Sequence, residues 1–254
     1  MKIGAMDNVL AKPWGELFRE AARLGFNGIE LDLKVDTYLG SEVWSAEGRQ
    51  GLAQRSRETG VEIASVCMAS VARLITDPKT HEQGIQALAD LRRFCDELGA
   101  GVILFPMGKQ QEQSEGDAVR LWRYGFQDAF ARSEGARAKV GMESVGRVGR
   151  SAEQMLAMIE LLGSPALGVY YDVGNAAYQG FDGIAEIGKL GRHIFQIHVK
   201  EIGAEMGEGK LDFPAIFAAI KHIGYDGYLM LETEAGDDPA ANASRNLAFV
   251  RNLL

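Results

Sequence analysis

Four residues in the second half of the chain carry side chains suited to holding a divalent cation: Glu143 in GMES, Asp172 in YYDVGN, His198 in QIHVK and Glu232 in LMLETE. Each closes a short apolar run, and they follow one another at intervals of 29, 26 and 34 residues. Three carboxylates and one imidazole suit manganese above all, with magnesium, cobalt or zinc as the other fits. The absence of thiolates from the set argues against an iron-sulfur cluster or a structural zinc, so the cation implied is a catalytic one. An acid at such a position can also cap the helix that follows it. That role favours Asp and Ser over Glu, and it does not explain four donors in regular succession.

The regular interval asks for elements that would carry the donors to one place. Short runs rich in Val, Ile, Leu and Tyr, each followed by a turn and a segment of helical periodicity, recur eight times. They are KIGAM (2–6), GIELDL (28–33), EIASVCM (62–68), GVILFPM (101–107), VGMES (140–144), LGVYYD (167–172), FQIHVK (195–200) and YLMLET (228–233). Segments such as WGELFREAARLG, QALADLRRFCDELGA, SAEQMLAMIELLG and FPAIFAAIKHIG place apolar residues three to four apart and stop at Gly, as amphipathic helices do. Strands alternating with helices pair in parallel, and eight units in 254 residues predict one (β/α)8 barrel domain spanning 1–254. Closing the ring sets Glu143, Asp172, His198 and Glu232 on adjacent staves at similar height. An open doubly wound sheet would call for a Gly-rich phosphate turn after the first strand, and IGAMDNVLAKPWG has none. The polar loops KVDTYLGSEVWSAEG, KQQEQSEGD and EIGAEMGEGKLD all follow strands, on the side where barrel active sites are assembled.

Composition narrows the partners. A formal net charge of −8 repels polyphosphate backbones, which disfavours nucleic acid and anionic membrane surfaces. No apolar run approaches the roughly 18–20 residues of a membrane span, and the start has no leader pattern, so the chain reads as cytoplasmic. Two cysteines, Cys67 and Cys95, are too few for a disulfide framework. Cys95 reads as a core helix residue, whereas Cys67, at a strand end, is a candidate for lining a substrate pocket.

The ordered set GMES, YYDVGNA, IHVKE and GYLMLETE, with GFNGIEL near the start and GEGKLDFPAIFAAIKHIGYDGY before the last strand, resembles the xylose-isomerase-like sugar phosphate isomerase/epimerase superfamily. The likeness spans nearly the whole chain. It implies one divalent metal on the positions of Glu143, Asp172, His198 and Glu232, a small carbohydrate substrate, and assembly as a homodimer or homotetramer. It also implies that Glu143 and Glu232 are catalytic, lying on opposite faces of the sugar. One removes a proton beside a carbonyl and the other returns it, to the same carbon in an epimerase or to its neighbour in an isomerase. A carbon acid of this kind yields its proton only if the developing enediolate is stabilised, which a divalent cation does. Substrates in view are sugars, sugar phosphates, keto-inositols and small hydroxy-keto acids. The same chemistry could expel a hydroxyl, making the chain a dehydratase or lyase, and a sugar-binding barrel without turnover is the non-enzyme alternative.

Two departures bear on specificity. Ketose 3-epimerases commonly carry histidine three residues after the ligand aspartate, where this chain has Asn175, and an arginine after the histidine strand, where it has only Lys200 and Lys210. The DxGN pattern is shared with inosose-isomerase-like members. Further candidates for substrate contact are Glu30 at the second strand end, Lys200 and Glu208 in the loops after the seventh strand, Trp14 and Phe105 as apolar walls, and Arg147 as a partner for a phosphate or carboxylate. His81, His193 and His222 fall away from the expected mouth. With four histidines in all, the chain is unlike the repair nucleases of the same superfamily, which use a histidine-rich trinuclear zinc site.

Overall fold

A computed structural model describes residues 1–68, 71–145 and 148–254. Eight parallel strands, β1 (Lys2–Met6), β2 (Gly28–Asp32), β3 (Glu62–Cys67), β4 (Val102–Pro106), β5 (Lys139–Glu143), β6 (Leu167–Asp172), β7 (Ile194–Val199) and β8 (Tyr228–Leu231), follow one another around a closed barrel. The seam is made by β1 and β8, with Ile3 opposite Leu229 and Ala5 opposite Leu231. The expected (β/α)8 architecture is therefore present, and no helix among the described residues is long and apolar enough to cross a membrane.

The helices end as their sequences require. Trp14–Leu24, His81–Leu98 and Ala152–Leu162 are each closed by a left-handed glycine, Gly25, Gly99 and Gly163. Only glycine takes that conformation without steric cost, so the chain can turn at once into the next strand. Their apolar faces pack on one side of the strands while alternate strand residues face the barrel interior. Interior space is rationed. A Cβ on Gly141 would stand 2.9 Å from Cβ and 3.0 Å from the backbone N of Tyr170, so glycine in β5 lets the β6 backbone approach closely at that point.

Short helices that periodicity did not register decorate the rim where β1, β3 and β6 end: Asp7–Leu10, Arg73–Thr76 and Val173–Tyr178. Each has only four to six residues, too few to show a repeating apolar pattern.

Candidate metal centre

Glu143 and Asp172 are the last residues of β5 and β6, His198 is the penultimate residue of β7, and Glu232 lies one residue beyond β8. One donor atom from each lies within 4.8 Å of the other three. The barrel thus gathers all four predicted donors. Asp172 also performs the capping role: its Oδ1 accepts the Asn175 backbone N–H at 2.8 Å and starts the helix Val173–Tyr178, which leaves Oδ2 turned to the cluster. A single Asp serves both purposes because its two oxygens diverge.

His198 Nδ1 is 2.9 Å from Glu232 Oε2, 3.4 Å from Glu143 Oε1 and 3.8 Å from Asp172 Oδ2. Nδ1 and Asp172 Oδ2 are both buried, and the cation that reaches Asp172 Oδ2 is the Lys200 ammonium. Burial, followed by the Glu143 carboxylate, pushes the Asp172 pKa upward against the pull of Lys200. Burial would raise Glu232 as well, but His198 and Lys200 outweigh it and hold that carboxyl well below the usual range. Burial works against charge on His198, yet the carboxylates of Glu30, Glu232 and Glu143 hold its pKa well above the ordinary imidazole value. Three carboxylates and an imidazole nitrogen converging on one buried point form a set that fits a divalent cation.

Lys200 follows β7 and places its ammonium 2.8 Å from both Asp172 Oδ2 and Glu232 Oε2. Gly174 makes this possible, because a Cβ there would lie 2.6 Å from Lys200 Cγ. Asn175 donates from Nδ2 to Glu143 Oε1 at 3.3 Å. Both residues, expected to meet substrate, stand directly against the donor cluster and hold its carboxylates.

The cluster opens into a cavity of about 620 Å³ lined by Glu143, His198 and Glu232 on one side and by Cys67, Leu104, Pro106, Lys109, Gln110, Gln111, Arg73 and Trp122 on the other. Cys67 is where the sequence suggested. Phe105 is not. Residues 104 and 106 of β4 face the cavity, so the strand's two-residue period turns Phe105 outward, where it packs edge-on against Trp122 at 5.0 Å and Phe126 at 5.3 Å. Trp14 also misses the cavity wall: its indole N–H is held by Asp7 Oδ2 at 2.7 Å at the start of its helix. Glu208 is exposed and lies outside the cavity lining. The flanking glycines serve packing instead, Gly207 lying against the Phe249 ring and Gly209 against the Glu201 side chain. Glu30 meets no sugar hydroxyl, being fully buried beneath the cluster with its Oε1 2.9 Å from His198 Nε2. Arg147 lies outside the described residues. His81 bonds to the Ile75 carbonyl through Nδ1, away from the centre.

Several cavity residues had no signal in the sequence. Lys109, Gln110 and Gln111 belong to a polar loop already noted, but Arg73 sits in VARLITD and Trp122 in a helix, where nothing in the pattern sets them apart.

A closed parallel barrel whose polar side chains meet at the C-terminal rim is an enzyme architecture. A family match described as xylose isomerase-like TIM barrel covers residues 18–253, and the chain belongs to that family. Among curated proteins it is 27% identical over 252 residues to the L-ribulose-5-phosphate 3-epimerase UlaE of Salmonella paratyphi C, covering 94% of this chain and 89% of that one. Among solved structures, an L-ribulose 3-epimerase superposes with a TM-score of 0.85 at 20% identity, covering 100% of this chain and 94% of the other. The 3-keto-D-glucoside 4-epimerase YcjR from E. coli superposes with a TM-score of 0.81 at 19% identity, with 99% of both chains covered. At those identities the structural likeness is one of fold.

Proposed function

We propose that the protein is a metal-dependent sugar epimerase acting next to a carbonyl of a ketose that carries a phosphate. The observation that carries this reading is the convergence of Glu143 and Glu232 with His198 and Asp172, their atoms within 4.8 Å of one another, at the wall of a cavity large enough for a small sugar. Curated relatives named as epimerases of a ketose phosphate support the class. These four residues would hold a divalent cation, which would supply positive charge to stabilise the negative charge that develops on the substrate. Glu143 and Glu232 do the proton work: the ionised one takes the proton from carbon, while the other, as the carboxylic acid with a proton taken up from solvent, gives one to the opposite face and is left as the carboxylate. Asn175 orients Glu143 through its Nδ2 donor, and Lys200 keeps Glu232 ionised. Asp172 and His198 hold the ion without exchanging protons with carbon.

The phosphate half of the reading rests on the opposite rim. Arg73 and Lys109 follow β3 and β4, across the ring from β7 and β8, and both line the cavity. Lys109 donates to the carbonyls of Gln110, Gln111 and Gln113, not to a carboxylate. Gln110 ties the two loops together through the Arg73 carbonyl at 3.3 Å. A cationic wall facing an anionic metal cluster suits a substrate with a phosphate at one end and a carbonyl with its hydroxyls at the other.

Incubation in D2O with Mn2+ and a panel of ketose phosphates, free ketoses, inososes and hydroxypyruvate tests the proposal, with proton NMR reading the products. The expected result is a ketose phosphate converted to its epimer with one solvent deuteron at the inverted carbon. Loss of water from substrate would mark a dehydratase instead, and no exchange with any member of the panel would remove the epimerase reading.

A further inference from the structure

Beneath the metal centre lies a set of polar side chains that the proton chemistry does not use. Glu30, Ser65, Tyr170, Gln196 and His198 are all at most 2% exposed and come from β2, β3, β6 and β7, so they meet only because the barrel closes. Their contacts are Ser65 Oγ to Glu30 Oε2 at 2.5 Å, Tyr170 Oη to Glu30 Oε2 at 2.7 Å, Gln196 Nε2 to Ser65 Oγ at 2.7 Å and to Tyr170 Oη at 2.8 Å, and His198 Nε2 to Glu30 Oε1 at 2.9 Å. The strands shift register beside two of the members, at Ile29/Glu30 and Val169/Tyr170, irregularities of the kind that re-aim a side chain.

The directions of these hydrogen bonds follow from counting donors. A carboxylate only accepts, so both hydroxyls give their protons to Glu30, and each then has a lone pair for one of the two Gln196 amide hydrogens. Both hydroxyl hydrogens and both amide hydrogens are thereby used. The same rule fixes the ring: His198 Nε2 must be the N–H that Glu30 Oε1 accepts, which leaves Nδ1, facing Glu143, Asp172 and Glu232, as the nitrogen whose proton a cation would replace. Tyr170 lies edge-on to the imidazole, 4.5 Å between ring centres, and blocks rotation of the ring.

We infer that Glu30 is a positioning residue: held by Ser65, Tyr170 and Gln196, it locks His198 as the Nε2–H tautomer and so presents the Nδ1 lone pair to the cation. The inference rests on the reading of the four-residue cluster as a metal centre. It replaces the sequence-based expectation of a sugar contact at Glu30 with a role one layer below the substrate. Glu30 matters to ion binding without touching either ion or sugar.

Two readouts test it on the full chain: Mn2+ affinity by calorimetry, and ring 15N–1H spectra of 15N-histidine-labelled protein loaded with diamagnetic Zn2+, where only four histidines contribute. Glu30→Gln should weaken Mn2+ binding by about 10- to 100-fold and, in the Zn2+-loaded protein, shift the Nε2–H signal of His198 upfield as its carboxylate acceptor is lost. Tyr170→Phe keeps the ring against His198 but deletes one donor to Glu30, and should weaken binding by about fivefold, the worth of one hydrogen bond, with a shifted ring signal. A merely structural role would lower the melting temperature and leave the His198 Nε2–H signal where it is. Affinity within about twofold of wild type, with the Nε2–H signal intact in both variants, would overturn the inference. If Glu30→Gln does not fold, Tyr170→Phe decides alone by the same criteria. Wild-type protein that binds no Mn2+ would strike the metal reading itself, and the metal-free spectrum would then judge the tautomer lock, which fails if Nε2–H is absent.

Discussion

Glu143 and Glu232 occupy the same cluster but different surroundings. Glu143 is 4% exposed and receives the Asn175 amide, while Glu232 stands beside Lys200 and is held well below the usual carboxylate range by His198 and Lys200 despite burial. Each remains an ionised acceptor only as a carboxylate, so replacing either by the isosteric amide removes a base as well as a ligand. Glu143→Gln and Glu232→Gln are each expected to lower kcat by about 10³-fold or more, within the range of general acid–base effects, in a deuterium-exchange assay at saturating Mn2+. Near-normal exchange in both would exclude them as the proton carriers. Asp172 behaves differently, because only its Oδ2 faces the cluster while Oδ1 caps a helix. Asp172→Asn keeps the cap and should act mainly on Mn2+ affinity, weakening it at least tenfold in a calorimetric titration while turnover recovers at high metal.

At the scale of elements, the strand termini and the loops divide the labour. The ends of β5 to β8 supply the donor cluster, whereas the loops after β3 and β4 supply the cationic wall through Arg73 and Lys109. These loops are tied to each other, since Gln113 also donates to the Thr76 carbonyl at 3.1 Å. Removing one charge should therefore leave the wall standing. Arg73→Ala and Lys109→Ala are expected to raise KM for a ketose phosphate about 10-fold or more, as loss of a charge-assisted hydrogen bond does, with little change in kcat and none in KM for the unphosphorylated ketose. Equal loss for both substrates would show that the loops shape the cavity without reading a phosphate. The period of β4 explains why Phe105 was misplaced in the sequence reading: a strand-end aromatic points to the mouth or to the helices according to a single residue of register, and β4 runs from Val102 to Pro106 with its even-numbered residues inward.

Across the whole molecule, the candidate metal centre draws on the last four strands, so an ion bound there would link β5, β6, β7 and β8 at once. Binding to the folded state alone stabilises it by about 2.7 kcal/mol at a metal concentration 100 times Kd. Chelation is therefore expected to lower the melting temperature by about 5–10 °C for a chain of this size, a shift restored by Mn2+ and cut to about half or less in Asp172→Asn at the same metal concentration. An unchanged melting curve on chelation would argue against an ion in this cluster. By itself the sequence determined the barrel and the four donors, because each donor closes its own apolar run and the strand-plus-helix period repeats along the chain; such signals are local and survive without coordinates. The tertiary structure alone decided what lies around them. Glu30, Ser65, Tyr170 and Gln196 are far apart in sequence and meet only inside the closed ring, while Arg73 and Trp122 reach the cavity through helix placement that no local pattern encodes. Which way a side chain points across the barrel depends on register and curvature summed over eight strands, and that sum exists only once the ring is shut.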